Sequence, residues 1–372
     1  KLRTMPIYMD FHDLPDGVTA AHVAEMHQAD LNIEHEYNCR GLTYWCDEER
    51  KTAFCLIDAP NEADVIKLHQ NAHGAVPRRI IEVNSTIVES FLGRIEDPEK
   101  SNNTELNIIN DPAFRVLMVI EISNYLNRLE SDQWTIFTQK FHTSITKVIG
   151  HYTGRTVKKN NYNYLVSFKS VSDAVLCAID IQFKFKYVTP KFDSSIRRLN
   201  IALSSGIPVT DKANIFEEAI TLATRMCEIV KEPFVITSEV NALYESENRN
   251  TTIDKDIILV LKPRDEKFLT QLIDFIEKVW NKSDFNMAQF SSLLGYSKSQ
   301  LYRKIMRLTG QSPNRFLREF RLHKALQLLY KQEGNISEIA FESGFNSAAY
   351  FSTCFFNKYG ILPSRYIQQQ LY

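Results

Sequence analysis

Residues 286 to 367 say nearly the same thing twice. The stretch NMAQFSSLLGYSKSQLYRKIMRLTGQSPNRFL returns as NISEIAFESGFNSAAYFSTCFFNKYGILPSRYI, offset by 49 residues through the turn and by 50 at the end. Each copy has a segment with apolar residues at helical spacing, then a Gly-aromatic pair (Gly295-Tyr296, Gly344-Phe345), then a second such segment. Glycine adopts the left-handed conformation that ends one helix and redirects the chain into the next. The pattern predicts two short helix pairs joined by one long helix.

Such a helix pair has the layout of a helix-turn-helix. In the first copy Met287 to Leu294 is the supporting helix, with Met287, Phe290, Leu293 and Leu294 facing inward. Residues 297–308 form the candidate recognition helix, with Leu301, Ile305 and Leu308 in its core stripe. Lys298, Ser299, Gln300, Tyr302, Arg303, Lys304 and Arg307 fall on its other faces. Residues near the start of such a helix reach base edges in the major groove. Gln300 suits adenine, and Arg303 or Lys298 suits guanine. Lys304 and Arg307 suit phosphates, which position the protein without reading sequence. The second copy is chemically blander. It offers Asn346, Ser347, Thr353, Asn357 and Lys358, with Tyr350 and Phe351 aligned to Leu301 and Tyr302, so that at least one of the two aromatics is expected in the core. Weaker or more indirect readout is expected there.

Charge supports a nucleic-acid partner. From Lys267 onward there are 14 Lys and Arg against 7 Asp and Glu, whereas the preceding residues carry 30 against 38. A basic terminal third on an acidic body suits a phosphate-binding module on a non-binding one. LYRKIMRLTGQSPNRFLREFRLHKALQLL, followed by ISEIAFESGFNSAAYFSTCFFNKYGILPSRY, resembles the AraC/XylS family of bacterial transcription regulators over residues 268–372. The resemblance implies two recognition helices in successive major grooves of double-stranded DNA. It also shows a departure, because Thr353 stands where the family usually has a basic residue.

Three blocks are expected in a multidomain α+β chain. Residues 1–84 read as strand (Pro6 to His12), helix (Thr19 to Tyr37), two strands (Leu42 to Asp47, Thr52 to Asp58), helix (Asn61 to Ala72) and strand (Arg79 to Val83). That βαββαβ order suggests a ferredoxin-like sandwich. Residues 85–110 read as a polar linker, and 111–250 as an α/β unit with strands RVLMVIEIS, YNYLVSF and LNIALSSGIPV and the helix SVSDAVLCAIDIQFKF. A second linker over 251–267 precedes the all-helical block of 268–372.

Six of the nine histidines (12, 22, 27, 35, 69 and 73) lie in the first block. Imidazole is a common ligand for nickel, zinc and copper, and His69 and His73 share one helical face. Cys46 and Cys55 are placed on adjacent strands, projecting from one sheet face. The string MDFHDLPDGVTAAHVAEMHQADL…FCLIDAP…HQNAHGAVPRRIIEV resembles a small bacterial nickel-binding domain family of ferredoxin-like fold. The matching positions are His12, His27, Cys55, His69 and His73, and the candidate site for a nickel or zinc ion is His12, His27, His69 and His73. The bland alternative is a set of surface histidines with an ordinary strand cysteine.

RVLMVIEISNYL, GRTVKKNNYNYLVSFKSVSDAVLCAIDIQ, RRLNIALSSGIPV and EEAITLATRMCEIVKEPFVITSEV resemble a class III nucleotidyl cyclase domain. Catalysis there requires two carboxylates holding two divalent ions. The first position is Glu121; the second falls on Asn161-Tyr162-Asn163, where no carboxylate can hold Mg²⁺. The family's transition-state Asn and Arg map to Thr221 and Arg225, so one half is lost. A non-catalytic block used for dimerisation or ligand sensing is expected, with Lys158 and Arg225 as candidate nucleotide contacts.

The expected protein is a cytoplasmic homodimeric regulator and not an enzyme, with upstream domains that sense a metal or small ligand. The alternatives are a nucleotide- or metal-responsive signalling protein and a metal buffer. The first residues carry no apolar signal core, six scattered cysteines form no disulfide framework, and no apolar run is long enough for a membrane span.

Overall fold

The computed structural model describes residues 5–99, 106–123, 131–160, 163–188, 198–249, 253–285 and 287–370. The first block has the expected order: β1 (Ile7–Asp13), α1 (Ala20–Ile33), β2 (Arg40–Asp47), β3 (Thr52–Asp58), α2 (Glu62–Ala72) and β4 (Arg79–Val83). A 3-10 turn over Glu34–Tyr37 replaces the last turn of the long first helix read from the sequence. The strands form one antiparallel sheet in the order β2-β3-β1-β4, with β1 central between β3 and β4.

Alternation along these strands gives the sheet two different faces. Tyr44, Cys46, Ala53, Cys55 and Ile57 pack with Val23 and Ala24 of α1 and Val65 and Leu68 of α2. Cys46 and Cys55 thus share a face, as the strand pattern predicts. Met9, Phe11, Trp45, Phe54, Leu56 and Ile81 form the opposite face. That face meets α3 (Ser85–Leu92), a helix at the start of the expected polar linker. The linker reading fails there because Val88, Phe91 and Leu92 form a short apolar stripe between polar residues.

The second block builds a six-stranded sheet. Its elements are β5 (Arg115–Ser123), α4 (Ser131–His151), β6 (Arg155–Lys159), β7 (Asn163–Phe168), α5 (Val171–Val188), β8 (Arg198–Gly206), α6 (Glu217–Ile229), β9 (Phe234–Ile236), α7 (Ser238–Glu247) and β10 (Leu259–Val260). The order is β10-β9-β8-β5-β7-β6, antiparallel around β5 and parallel from β8 to β10. Val116, Met118, Ile120 and Ile122 of β5 pack against α4, α5 and α7. The other face of β5 is divided. Leu117 joins the core shared with the first block, and Val119 joins a core shared with the C-terminal helices.

Those helices are α8 (Pro263–Val279), α9 (Met287–Leu293), α10 (Lys298–Thr309), α11 (Pro313–Lys331), α12 (Ile336–Glu342), α13 (Ala348–Tyr359) and α14 (Pro363–Gln370). Helix α8 starts at Pro263, inside the expected second linker, because proline is pre-organised for the first helical position. Phe268, Leu269, Leu272, Ile273 and Ile276 of α8 pack with Leu301, Ile305 and Leu308 of α10 and with Val119, Ala202 and Val235 of the sheet. The second helix pair has its own core of Leu322, Ala325, Leu329, Ile339, Phe351, Phe355 and Tyr359. Leu293, expected inside, is 67% exposed, and Phe290 supplies the buried apolar side chain of α9 among the residues whose side chains are described.

A buried arginine ties the first two blocks together. Arg115, 1% exposed, donates from Nε to Phe91 O (3.2 Å) and from Nη2 to Leu92 O (3.3 Å), satisfying the last carbonyls of α3. Its Nη1 donates to Pro112 O (2.6 Å) and Phe114 O (2.8 Å). Replacing Arg115 by Ala should cost about 2–3 kcal/mol through lost charge-assisted hydrogen bonds. Urea unfolding of the full chain measures it, and an unchanged midpoint would show that α3 needs no such cap.

Candidate functional site

Two groups of residues concentrate chemistry in this chain. The first lies under α1 and α2. Alternation on β1 puts Asp10 and His12 on the helix-covered face, and helical spacing stacks His69 over His73. Asp30 projects from α1 toward α2. His69 Nε2 lies 2.8 Å from Asp10 Oδ2, and its Nδ1 lies 3.1 Å from Asp30 Oδ2. His73 Nε2 sits 3.2 Å from His69 Nδ1 and 3.3 Å from Asp30 Oδ1. His12 Nε2 approaches Asp10 Oδ1 at 3.3 Å but makes no hydrogen bond, although it is buried. Ligand atoms of Asp10, His12, Cys55 and His69 all lie within 4.8 Å of one another, as do those of Asp30, His69 and His73.

Burial alone would pull His69 toward neutrality, but Asp10 and Asp30 push its pKa up to about 10. Burial raises Asp10 in turn, yet His12 and His69 hold it well below the usual carboxylate range. Burial and the nearby Asp10 charge push the Cys55 thiol well up. Mixed nitrogen, oxygen and sulfur donors around an orphaned imidazole nitrogen fit a borderline transition metal better than Ca²⁺ or Mg²⁺.

His12, His69 and His73 therefore come together, and His27 does not join them. His27 is buried on α1, with Nε2 3.2 Å from Asp97 Oδ2 and its ring beside Tyr44. Asp10 and Asp30 escaped the sequence reading, although each is an acid at an apolar position of its element's pattern. His69→Ala should abolish stoichiometric Ni²⁺ or Zn²⁺ uptake while His27→Ala retains it. Equal uptake by both variants, measured by elemental analysis, would dissociate the cluster from metal binding.

The second group is the pair of recognition helices. Ser297 caps α10, accepting from Gln300 N (3.3 Å), while Gln300 Oε1 accepts from Ser297 N (3.0 Å). That capping box occupies the oxygen Gln300 would need for paired recognition of adenine. Lys298, Ser299, Tyr302 and Arg303 are exposed, as expected for DNA contacts. Lys304 and Arg307 point elsewhere. Lys304 Nζ lies over the rings of Phe268 (4.9 Å) and Tyr296 (5.1 Å), and Arg307 pairs with Asp265 of α8. Both cations thus link α10 to α8, and Arg307 remains 48% exposed.

In α13, Ser347 is the cap, accepting from Tyr350 N, and Asn346 and Ser347 are exposed. Phe351 is the core aromatic and Tyr350 is 52% exposed. The caps Ser297 and Ser347, and the closing Gly310 and Gly360, align at an offset of 50. The extra residue is Asn346, so Phe351 replaces Leu301 and Thr353 replaces Arg303. Arg303→Ala should weaken binding to a selected duplex by about 1–3 kcal/mol if it reads a base. Lys304→Gln should lower thermal stability with no change in the salt dependence of binding. A matching loss of salt dependence in Lys304→Gln would restore it as a phosphate contact.

A cleft of about 1430 Å³ opens between the middle sheet and the C-terminal helices, lined in part by Glu121, Asn163, Thr221 and Arg225. Arg225 is held by Asp274 of α8 (2.5 Å), and Lys158 lies on β6 outside the lining. Asn161 and Tyr162 lie outside the described residues. Among the described residues no helix is long and apolar enough to cross a membrane, and the six cysteines are buried outside any disulfide.

Comparison with known proteins matches each end of the chain to a family. Residues 8–83 match the family described as nickel responsive protein SCO4226-like, and residues 290–369 match the helix-turn-helix domain family. A histidine kinase from Formosa agariphila is 39% identical over 102 residues, 27% of this chain and 7% of the kinase. The HTH-type transcriptional regulator MtrA of Neisseria gonorrhoeae is 31% identical over 175 residues, 44% of this chain and 57% of the regulator. The chain thus spans less than two thirds of the length of these curated relatives. Among solved structures, SCO4226 from Streptomyces coelicolor is 32% identical, with 21% of this chain and 94% of that one covered and a TM-score of 0.20. The C-terminal helices accordingly match a helix-turn-helix domain family shared with transcriptional regulators, and the N-terminal sheet domain is similar to the nickel-responsive family.

Proposed function

We propose that this protein is a metal-responsive transcription regulator. The observation that carries the reading is the joining, in one chain, of two exposed recognition-helix faces to a buried histidine–carboxylate–thiol cluster. Asp10, His12, Cys55 and His69 are the residues that would hold Ni²⁺ or Zn²⁺, with Asp30 and His73 bordering them. A bound divalent ion supplies the positive charge that favours a thiolate and a neutral imidazole. The strand order and helix placement of the first domain support a ferredoxin-like fold, and the middle domain is read as a degenerate cyclase-like module.

That module serves pairing of two copies and transmission of the sensed state. Glu121, an altered carboxylate at the first metal position, and Arg225 line the interdomain cleft, which favours nucleotide binding there as the second reading. Catalysis is not part of the proposal, since Thr221 stands at one transition-state position and Arg225 is engaged by Asp274. The site of action is the cytoplasm. Incubation with ATP or GTP and Mn²⁺ should yield no cyclic nucleotide; its formation would reassign the middle domain as an enzyme.

The function itself is tested by enriching duplexes from a randomised pool with the purified full chain. Binding of the enriched duplex should fall steeply with salt, as expected when several phosphates are neutralised. Retention of no duplex at low ionic strength would end the proposal.

A further inference from the structure

We infer that the second reading unit takes its cation from the connecting helix: Arg318 of α11 and Tyr350 of α13 act as one composite DNA contact, the guanidinium on a phosphate and the phenol on a base edge. The inference rests on the DNA-binding reading above.

Helix α13 has one Lys or Arg, Lys358, and it is already engaged. Its Nζ lies 2.8 Å from Glu319 Oε2 and donates to Glu319 O at 3.0 Å, with the side chain 14% exposed. Thr353, at the place of Arg303, donates its hydroxyl to Ala349 O (3.0 Å) within its own helix. The exposed residues Ala349, Tyr350, Thr353, Phe356 and Asn357 therefore carry no charge, whereas α10 exposes Lys298 and Arg303. A reading head without a cation neutralises no phosphate of its own.

Arg318 fills that gap. Its Nη1 donates to the Tyr350 hydroxyl at 3.4 Å, across from one helix to the other. This bond raises the guanidinium pKa further, so Arg318 stays charged at all working pH values. A guanidinium has five N–H donors in a planar fork, and the bond to Tyr350 uses one. Tyr350 accepts that bond on its oxygen and keeps its own O–H to donate. The natural acceptor is a purine N7 or O6 in the major groove. Arg318 sits on the helix that links the two units, so its remaining donors are placed for the backbone between the two read segments. The pair supplies both the charge and the direction that α13 lacks.

Four full-length variants bound to the enriched duplex test the inference. Arg318→Ala should raise Kd roughly tenfold and make the log–log salt dependence shallower by about 0.9. Arg318→Lys should restore the salt slope, which a purely structural role would not predict. Tyr350→Phe should weaken binding at an unchanged slope, and adding it to Arg318→Ala should cost little more. Thermal midpoints close to wild type confirm that the variants fold. An unchanged slope in Arg318→Ala, or fully additive losses in the double variant, would overturn the inference while the DNA-binding reading stands. A wild-type chain that enriches no duplex would overturn both.

Discussion

Strand β5 is buried on both faces, and three parts of the protein meet on it. One face closes the core of the middle domain. On the other, Leu117 and Val119, two residues apart, join two different interdomain cores. Close-packed interiors transmit displacement because they have little free volume to absorb it. The sheet of the first domain and helix α10 are therefore joined by a continuous packed route through one side of the middle sheet.

Helix α6 repeats the division along its length. Phe216 and Ala219, at its start, pack into the core formed with the first domain's sheet; Ala223, Met226 and Cys227, further along, pack against α8 and α10. Just beyond α6, Lys231 N donates to Leu308 O at 2.8 Å, reaching the last turn of the first recognition helix. The first reading unit is thereby built into the middle domain, while the second has a core of its own on the far side of the cleft. Within the C-terminal domain, Arg321 joins α11 to the end of α8 by donating to Trp280 O (2.6 Å) and Lys282 O (2.6 Å). Gly344 lies against that joint at φ +75°, where an added Cβ would meet Trp280 O at 2.8 Å. Any residue but glycine is disfavoured there both by conformation and by space.

Much of this was legible in the chain itself, because duplication, periodicity and glycine placement are local signals. Leu301, Ile305 and Leu308 lie on the core face as their spacing predicts, and the succession of strands and helices in the first domain follows from its local patterning. For Lys304 and Arg307, periodicity marks a polar face without revealing which partners on a neighbouring helix each cation meets. The rings of Phe268 and Tyr296 partly cover Lys304, and the carboxylate of Asp265 pairs with Arg307, which stays 48% exposed. His27 was indistinguishable in sequence from His12 and His69; only the approach of Asp97, seventy positions away, decides its partner. Asp10 and Asp30 were missed for the converse reason, since an isolated acid in an apolar pattern acquires meaning only when a buried imidazole faces it.

The central claim is that the metal cluster and the DNA-reading face are energetically coupled through these shared cores. Coupling between two binding sites is reciprocal, so each ligand must change the other's affinity by the same factor. The most direct measurement is calorimetric titration of Ni²⁺ into the full chain, free and saturated with its selected duplex. The account predicts metal affinities that differ between the two titrations by the factor by which metal alters duplex affinity. Identical affinities would mean that sensor and reader share a chain without sharing a signal.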